Sequence, residues 1–218
     1  MNENLLETQY DVTKKSKIKQ FYDNNRILIF SVTILLTIII VYGFYFFSQQ
    51  EKKRINLAEN YIDAKISIKV GKKDKAKNVL KEIVLQNDTT YSSLSLFLIL
   101  NENLISDKNE LLDLFDHLLK NNKFDKEERN LIIFKKVLFQ SNFENEAELV
   151  EAARPILNDN TVWKPHTLLL LGDYFLSKKQ NLKAKEFYLQ VLSIKNLSIE
   201  LTDYAKSRLM IIPNEQKN

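Results

Sequence analysis

The chain has no cysteine, three glycines and three prolines among 218 residues. Without cysteine there can be no disulfide, no thiolate nucleophile and no cysteine zinc site, whichever redox compartment holds the protein. A sheet protein needs turn residues at its corners, and an α/β enzyme needs glycine-rich loops. The scarcity of glycine and proline therefore points to an all-α fold. Histidine is as rare: His117 and His166 stand 49 positions apart without a ligand-spaced partner, so neither reads as a metal ligand. No GxSxG, HExxH, phosphate-binding loop or dinucleotide fingerprint occurs. The acids Glu127-Glu128 and Glu144 with Glu146 fall at helix starts, where the macrodipole favours negative charge. Nothing in the chain asks for an enzyme, a cofactor or a metal.

What is present is a run of 21 residues, Ile27 to Phe47, without one charged side chain. At about 1.5 Å of rise per residue a helix of this length spans roughly 30 Å, the hydrocarbon thickness of a bilayer. No small-x-small cleavage site follows, only Ser48, Gln49, Gln50 and Glu51. A permanent single transmembrane helix over 27–47 is expected, between a polar tail (1–26) and a larger domain (48–211), with residues 212–218 disordered. Gly43 has no small residue at four-residue spacing, which gives little support for pairing through the membrane helix.

Net charge is +4, unevenly placed. Residues 48–81 carry ten basic and four acidic side chains, whereas residues 82–218 carry 17 basic and 20 acidic. The basic excess thus lies beside the membrane, as attraction to anionic headgroups or a solvated helix face requires. No aromatic-interleaved basic stripe accompanies it, which argues against nucleic acid. Lys14, Lys15, Lys17, Lys19 and Arg26 precede the apolar run, and Lys52, Lys53, Arg54 and Lys65 follow it. Charge alone barely sets the orientation. A short basic tail resists export while long domains translocate largely regardless of charge, so the tail is read as cytoplasmic and the domain as exported.

Beyond Phe47, apolar residues recur at three-and-four spacing and predict helices over 50–70, 73–86, 90–105, 108–121, 127–141, 145–157, 163–179, 181–195 and 198–211. Asp125 with Glu128 and Asn145 with Glu148 predict capping boxes, Ser106 or Asp107 a further cap, and Gly71 a helix end. Pro155 is expected to kink or end its helix. Taken in pairs, the second helices begin in register at Ala76, Leu112, Ala147 and Ala184, spaced by 36, 35 and 37 residues. That period marks a stack of four helical hairpins closed by a last helix. In its clearest unit, Gly172 and Ala184 allow close backbone approach, while Phe175 and Tyr188 fill the remaining space.

Positions 15, 11 and 8 before each register residue share one face of the leading helix. They are Tyr61, Lys65, Ile68; Phe97, Asn101, Leu104; Ile132, Lys136, Phe139; and Leu169, Asp173, Leu176. A polar track of Lys65, Asn101, Lys136 and Asp173, bordered by apolar residues such as Tyr61, Phe97 and Phe139, is the candidate partner-binding groove. Trp163 is expected to pack between the last two hairpins.

Leu171, Gly172, Ala184 and Tyr188 resemble the tetratricopeptide repeat pattern, and Ala64, Gly71, Ala76 and Leu80 stand in corresponding places in the first unit. A wider resemblance covers almost the whole chain. The short tail, one early membrane helix, the lysine-rich first hairpin, Trp163-Lys164-Pro165, Leu171-Gly172, Ala184, Phe187, Ala205 and Arg208-Leu209 are similar to alphaproteobacterial members of the ancillary SecYEG translocon subunit family. These are the YfgM-like proteins, whose TPR-like repeat domain is shared with cell-division coordinators. Thr167 departs from the pattern, where alanine is expected. The resemblance implies an inner-membrane, single-pass protein with a cytoplasmic N-terminus and periplasmic repeats, assisting export beside the Sec translocon and a periplasmic chaperone. The same scaffold fits coordination of cell-wall synthesis at division, or a cytoplasm-facing adaptor if the orientation is reversed.

Overall fold

In this computed structural model the described residues are 17–213, and they form nine helices and no strand. Residues 1–16 of the polar tail and residues 214–218, within the stretch expected to be disordered, lie outside them. The chain divides into two compact units, one up to Asn56 and one from Leu57 onward.

The first helix, α1 (Lys17–Lys69), replaces two expected ones and departs from helical dihedrals only at Asn25. The physical reason lies at Ser48 to Lys52. Hydropathy changes sharply there, but no residue in that stretch is a glycine or proline, so helix propensity does not. Within the first unit, α1 is long and apolar enough to cross a membrane. Between Ile27 and Phe47 most of its side chains are exposed, Ile27 at 80% and Phe47 at 72%. Ser31, Thr33 and Thr37 return their hydroxyls to the carbonyls of Ile27, Ile29 and Thr33 at 2.8–2.9 Å. These three hydroxyls then need no water, as hydrocarbon demands.

The second unit holds the end of α1 followed by α2 (Lys73–Val84), α3 (Thr89–Asn101), α4 (Lys108–Asn121), α5 (Lys126–Gln140), α6 (Glu146–Leu157), α7 (Lys164–Ser177), α8 (Asn181–Leu192) and α9 (Ile199–Ile211). Caps set these limits. Asp125 and Glu128 close the expected capping box on α5. Asn145 accepts from the Glu148 N–H at 3.1 Å, and Asp107 caps α4 through the Asn109 N–H at 2.8 Å. Asp88, which the apolar pattern does not announce, caps α3 by accepting from Thr90 and Tyr91. Pro155 sits two residues inside the end of α6, which stops at Leu157.

Three helices end in one way. Gly71, Asn103 and Lys179 take positive φ, the next N–H reaches back five residues, and the ladder closes. These are Lys72 to Ser67, Leu104 to Ile99 and Gln180 to Phe175. Such a left-handed cap satisfies carbonyls that the helix end would orphan. It also stops α3 at Asn101, four residues before the expected end.

Burial corrects the register of the middle pairs. Ala76, Leu80 and Ile83 are buried on α2, and Ala184, Tyr188 and Val191 on α8, at offsets of zero, four and seven. Leu111, Phe115 and Leu118 repeat this pattern on α4, and Leu149, Ala153 and Ile156 on α6. Leu112 is only half-buried and Ala147 is exposed. One residue rotates a helix by about 100°, so the register residues are Leu111 and Leu149.

Helices touch mainly their chain neighbours, but α7 also touches α5 and α9. The core falls into two clusters that meet on α5. Ile132 joins Ala64, Ala76, Leu80, Ile99 and Phe115, while Ile133 joins Leu149, Ala153, Phe175 and Tyr188. Neighbouring positions on a helix diverge enough for α5 to wall both.

Candidate partner-binding site

The leading helices α1, α3, α5 and α7 carry the candidate groove residues. On α1, Lys65 Nζ lies 5.7 Å from the centre of the Tyr61 ring. Tyr61 in turn meets Tyr91 of α3 at 6.2 Å, and burial raises its hydroxyl pKa above the ordinary tyrosine value. The next aromatic on α3, Phe97, is overlain by Lys135 of α5 at 5.9 Å. Asn101, the last residue of α3, is exposed. The first two leading helices therefore each present a ring to a cation, Lys65 of α1 and Lys135 of α5, an arrangement that holds an ammonium without an acid.

The other two helices use their residues inwardly. Lys136 pairs with Asp116 of α4 at 2.5 Å, and Ile132 is buried in the core. Phe139 lies between Phe115 at 6.4 Å and Phe143 at 5.0 Å. Asp173 joins three helices: it accepts from the hydroxyls of Tyr188 (2.7 Å) and Tyr204 (2.6 Å), and Arg208 Nε stands 3.1 Å away. Burial first, then these bonds to Asp173, push the Tyr188 hydroxyl well above the ordinary value and raise that of Tyr204. A half-buried carboxylate with two hydroxyl donors and an arginine ion pair is an internal joint, not a free contact group.

Counting back from Leu111 and Leu149 moves the central positions of the middle pairs from Asn101 and Lys136 to Leu100 and Leu138. Leu138 is 39% exposed. The track is thus polar at Lys65 and Asp173 and apolar between them. Lys135 and Leu138 are the residues the original spacing missed. The Leu149, Ala153, Ile156 pattern of α6 signals Leu138, whereas Lys135 falls outside the spacing and shows only in its contact with Phe97. Of the four expected packing residues, Ala76, Ala184 and Tyr188 are inaccessible, and Gly172 is buried beneath the Tyr188 ring.

A cavity of about 630 Å³ opens elsewhere, at the start of α7, lined among others by Glu127, Val162, Pro165, His166, Ile194 and Leu201. Glu127 Oε2 accepts from the Thr161 hydroxyl at 2.5 Å and the Val162 N–H at 3.3 Å, while His166 Nδ1 contacts the Val162 carbonyl at 3.1 Å. Trp163 stacks on Phe134 at 5.5 Å and so ties α5 to α7. His117 Nε2 contacts Asn87 Oδ1 at 2.9 Å, and its Nδ1 the Asn121 amide at 3.1 Å, so its ring spans α4 and the α2–α3 connection. These polar groups are engaged in joining elements. Among the described residues no cluster of three or more histidines or acids could hold a metal. No protein-family model, curated protein or solved structure matches the chain.

Proposed function

We propose that the protein is a membrane-anchored, TPR-like helical scaffold that holds other proteins at a bacterial inner membrane and assists export beside the Sec translocon. The observation that carries the reading is the buried zero-four-seven pattern, repeated on α2, α4, α6 and α8. Four second helices with one burial code suit a stack of like hairpins, whose leading helices then line a common face. The contacts of α7 with both α5 and α9 suit the same stacking. One helix of membrane-spanning length supplies the anchor. The translocon and a periplasmic chaperone enter through the family resemblance of the tail, anchor and C-terminal stretch.

The face offers a lysine on a tyrosine ring (Lys65 on Tyr61) and exposed Leu138, with Asn101 exposed beside Leu100 at the end of α3. Such a surface takes an extended segment or a helix with both apolar and polar side chains. The test combines topology with capture. Protease added to spheroplasts digests the helical domain if it faces the periplasm, and spares it if the orientation is reversed. Substituting Lys65, Asn101 and Leu138 together by alanine is expected to weaken co-purification of membrane partners. Undiminished recovery with unchanged helicity contradicts the proposed face.

A further inference from the structure

The end of α1 has two faces, and only one is used by its own fold. Leu57, Ala64 and Ser67 are buried. On the opposite side Ile62, Ile66 and Val70 stand 55%, 52% and 61% exposed. Ile62 and Ile66 fall within about 40° of each other at 100° per residue, so they form a narrow apolar ridge. This is not the Tyr61 edge, which meets Tyr91 of α3.

The charges beside the ridge are sorted by sign. Glu59 and Asp63 lie along one flank, Lys65 and Lys69 along the other, all four exposed. Each flank thereby sets like charges four residues apart, a spacing that destabilises an isolated helix, and none of the four has an opposite charge at three- or four-residue spacing within α1. An apolar ridge with acids on one side and bases on the other is complementary to itself in one arrangement. When two copies pair about a two-fold axis parallel to their helices, the acidic flank of each faces the basic flank of the other. Pairing head to tail would set acid on acid and base on base.

We propose that this ridge is an interface between two copies of the chain, paired in parallel through the outer part of α1. If the apolar run of α1 is inserted in a membrane, as in the scaffold reading, two neighbours present their ridges in the same direction. The self-complementary charge pattern does not depend on that reading. Lys65 belongs to both the basic flank and the Tyr61 edge, whereas the Tyr61 and Phe97 rings themselves lie outside the ridge.

The absence of native cysteine makes the test direct, with the full chain in its own membranes. Single substitutions Ile62→Cys and Ile66→Cys are oxidised and compared with Leu182→Cys, an exposed position on α8. Most of the chain is expected to run as a disulfide-linked dimer for the first two, and at least fivefold less for the third. Equal yields at all three positions, or none at Ile62 and Ile66, overturn the proposal. Charge reversal separates the arrangement from mere crowding. In an Ile62→Cys background, Lys65→Glu with Lys69→Glu, or Glu59→Lys with Asp63→Lys, each lowers the dimer fraction when expressed alone. Co-expressed with distinguishable tags, the two variants pair with each other. Self-pairing of either variant at the unreversed level overturns the parallel arrangement. Helical circular dichroism confirms folding of each variant, and the protease result in spheroplasts bears on the scaffold reading alone.

Discussion

The Tyr188 ring of α8 rests on the backbone of Gly172 of α7, so close that a β-carbon at Gly172 would come within 2.6 Å of it. The ring has nowhere to retreat. Tyr188 is fully buried, and its hydroxyl is held by Asp173 at 2.7 Å. A methyl group at Gly172 therefore forces α7 and α8 apart. Alanine is the better helix former by about 1 kcal/mol, but overpacking a tight core costs about 1–3 kcal/mol. Gly172→Ala is expected to lower the unfolding midpoint despite its higher helix propensity. Urea unfolding followed by circular dichroism checks this, and a raised midpoint contradicts the packing.

Asp173 governs how α9 is attached. That helix buries Ala205 within its span, with Ile212 just beyond it and Leu201 and Leu209 packed partly against the core, and the Tyr204 hydrogen bond and Arg208 ion pair to Asp173 add a polar attachment. Asp173→Ala strands the buried Tyr188 hydroxyl, at a cost of about 1–3 kcal/mol. Amide exchange across residues 199–211 should accelerate more than exchange in α2. Uniform acceleration, or none, argues that α9 is held by other means.

The helix starts offer a cleaner reading. Asp125→Ala removes the acceptor for the Glu128 N–H and opens the capping box, for an expected loss of about 1 kcal/mol. Asn145→Ala loses one bond of the same kind, the Glu148 N–H to the Asn145 side chain, which is not part of a reciprocal box. The Glu128→Ala change should therefore cost stability through the Asp125 N–H, while Glu148→Ala should not act through Asn145. Matched denaturation curves for the four variants test the difference.

Acid should loosen the joints between hairpins. Glu146 is held below the ordinary glutamate value by Lys183 and then Gln180, and Asp159 below the aspartate value by Lys126 and then Asn130. A carboxylate with a lowered folded pKa stabilises the fold above its unfolded value, and that contribution fades as pH falls through the folded one. Stability should thus be flat near neutrality and decline below the ordinary carboxylate range. Lys183→Met should flatten the part of the decline due to Glu146. Glu144 acts in the opposite sense. Its bond to Glu148 raises its pKa, so its share is present at low pH and lost as pH rises through the raised value.

Element existence was legible in the residues wherever a side chain announces a boundary. Asp107, Asp125 and Asn145 begin helices where their oxygens can reach an N–H two or three residues on, and Gly71 ends one at a positive φ of 78°. The less legible ends are those at Asn103 and Lys179, where residues with β-carbons take the left-handed conformation. No composition signal separates such a lysine from its neighbours. The membrane boundary within α1 misled for another reason: polarity changes at Ser48 while backbone preference does not.

The candidate face was legible only in part, because a helix register slips easily when apolar residues crowd both sides of a position. On α4, Leu111 and Leu112 are equivalent by hydropathy, and only burial distinguishes them. On α6 the small Ala147 looked like a register residue, yet the core takes Leu149 two positions later. That slip carried Lys136 into the predicted groove, although Asp116 engages it, and left out Leu138.

The central claim is that the helical domain holds partner proteins while its long apolar helix sits in the bilayer. A photo-crosslinking amino acid placed at Lys65, and separately at Leu189 on the exposed side of α8, tests it most directly in living cells with mass spectrometry of the adducts. The account predicts a small, reproducible set of membrane or exported proteins captured from Lys65, translocon or chaperone components among them, and far less capture from Leu189. Equal capture of abundant bystanders from both positions contradicts it.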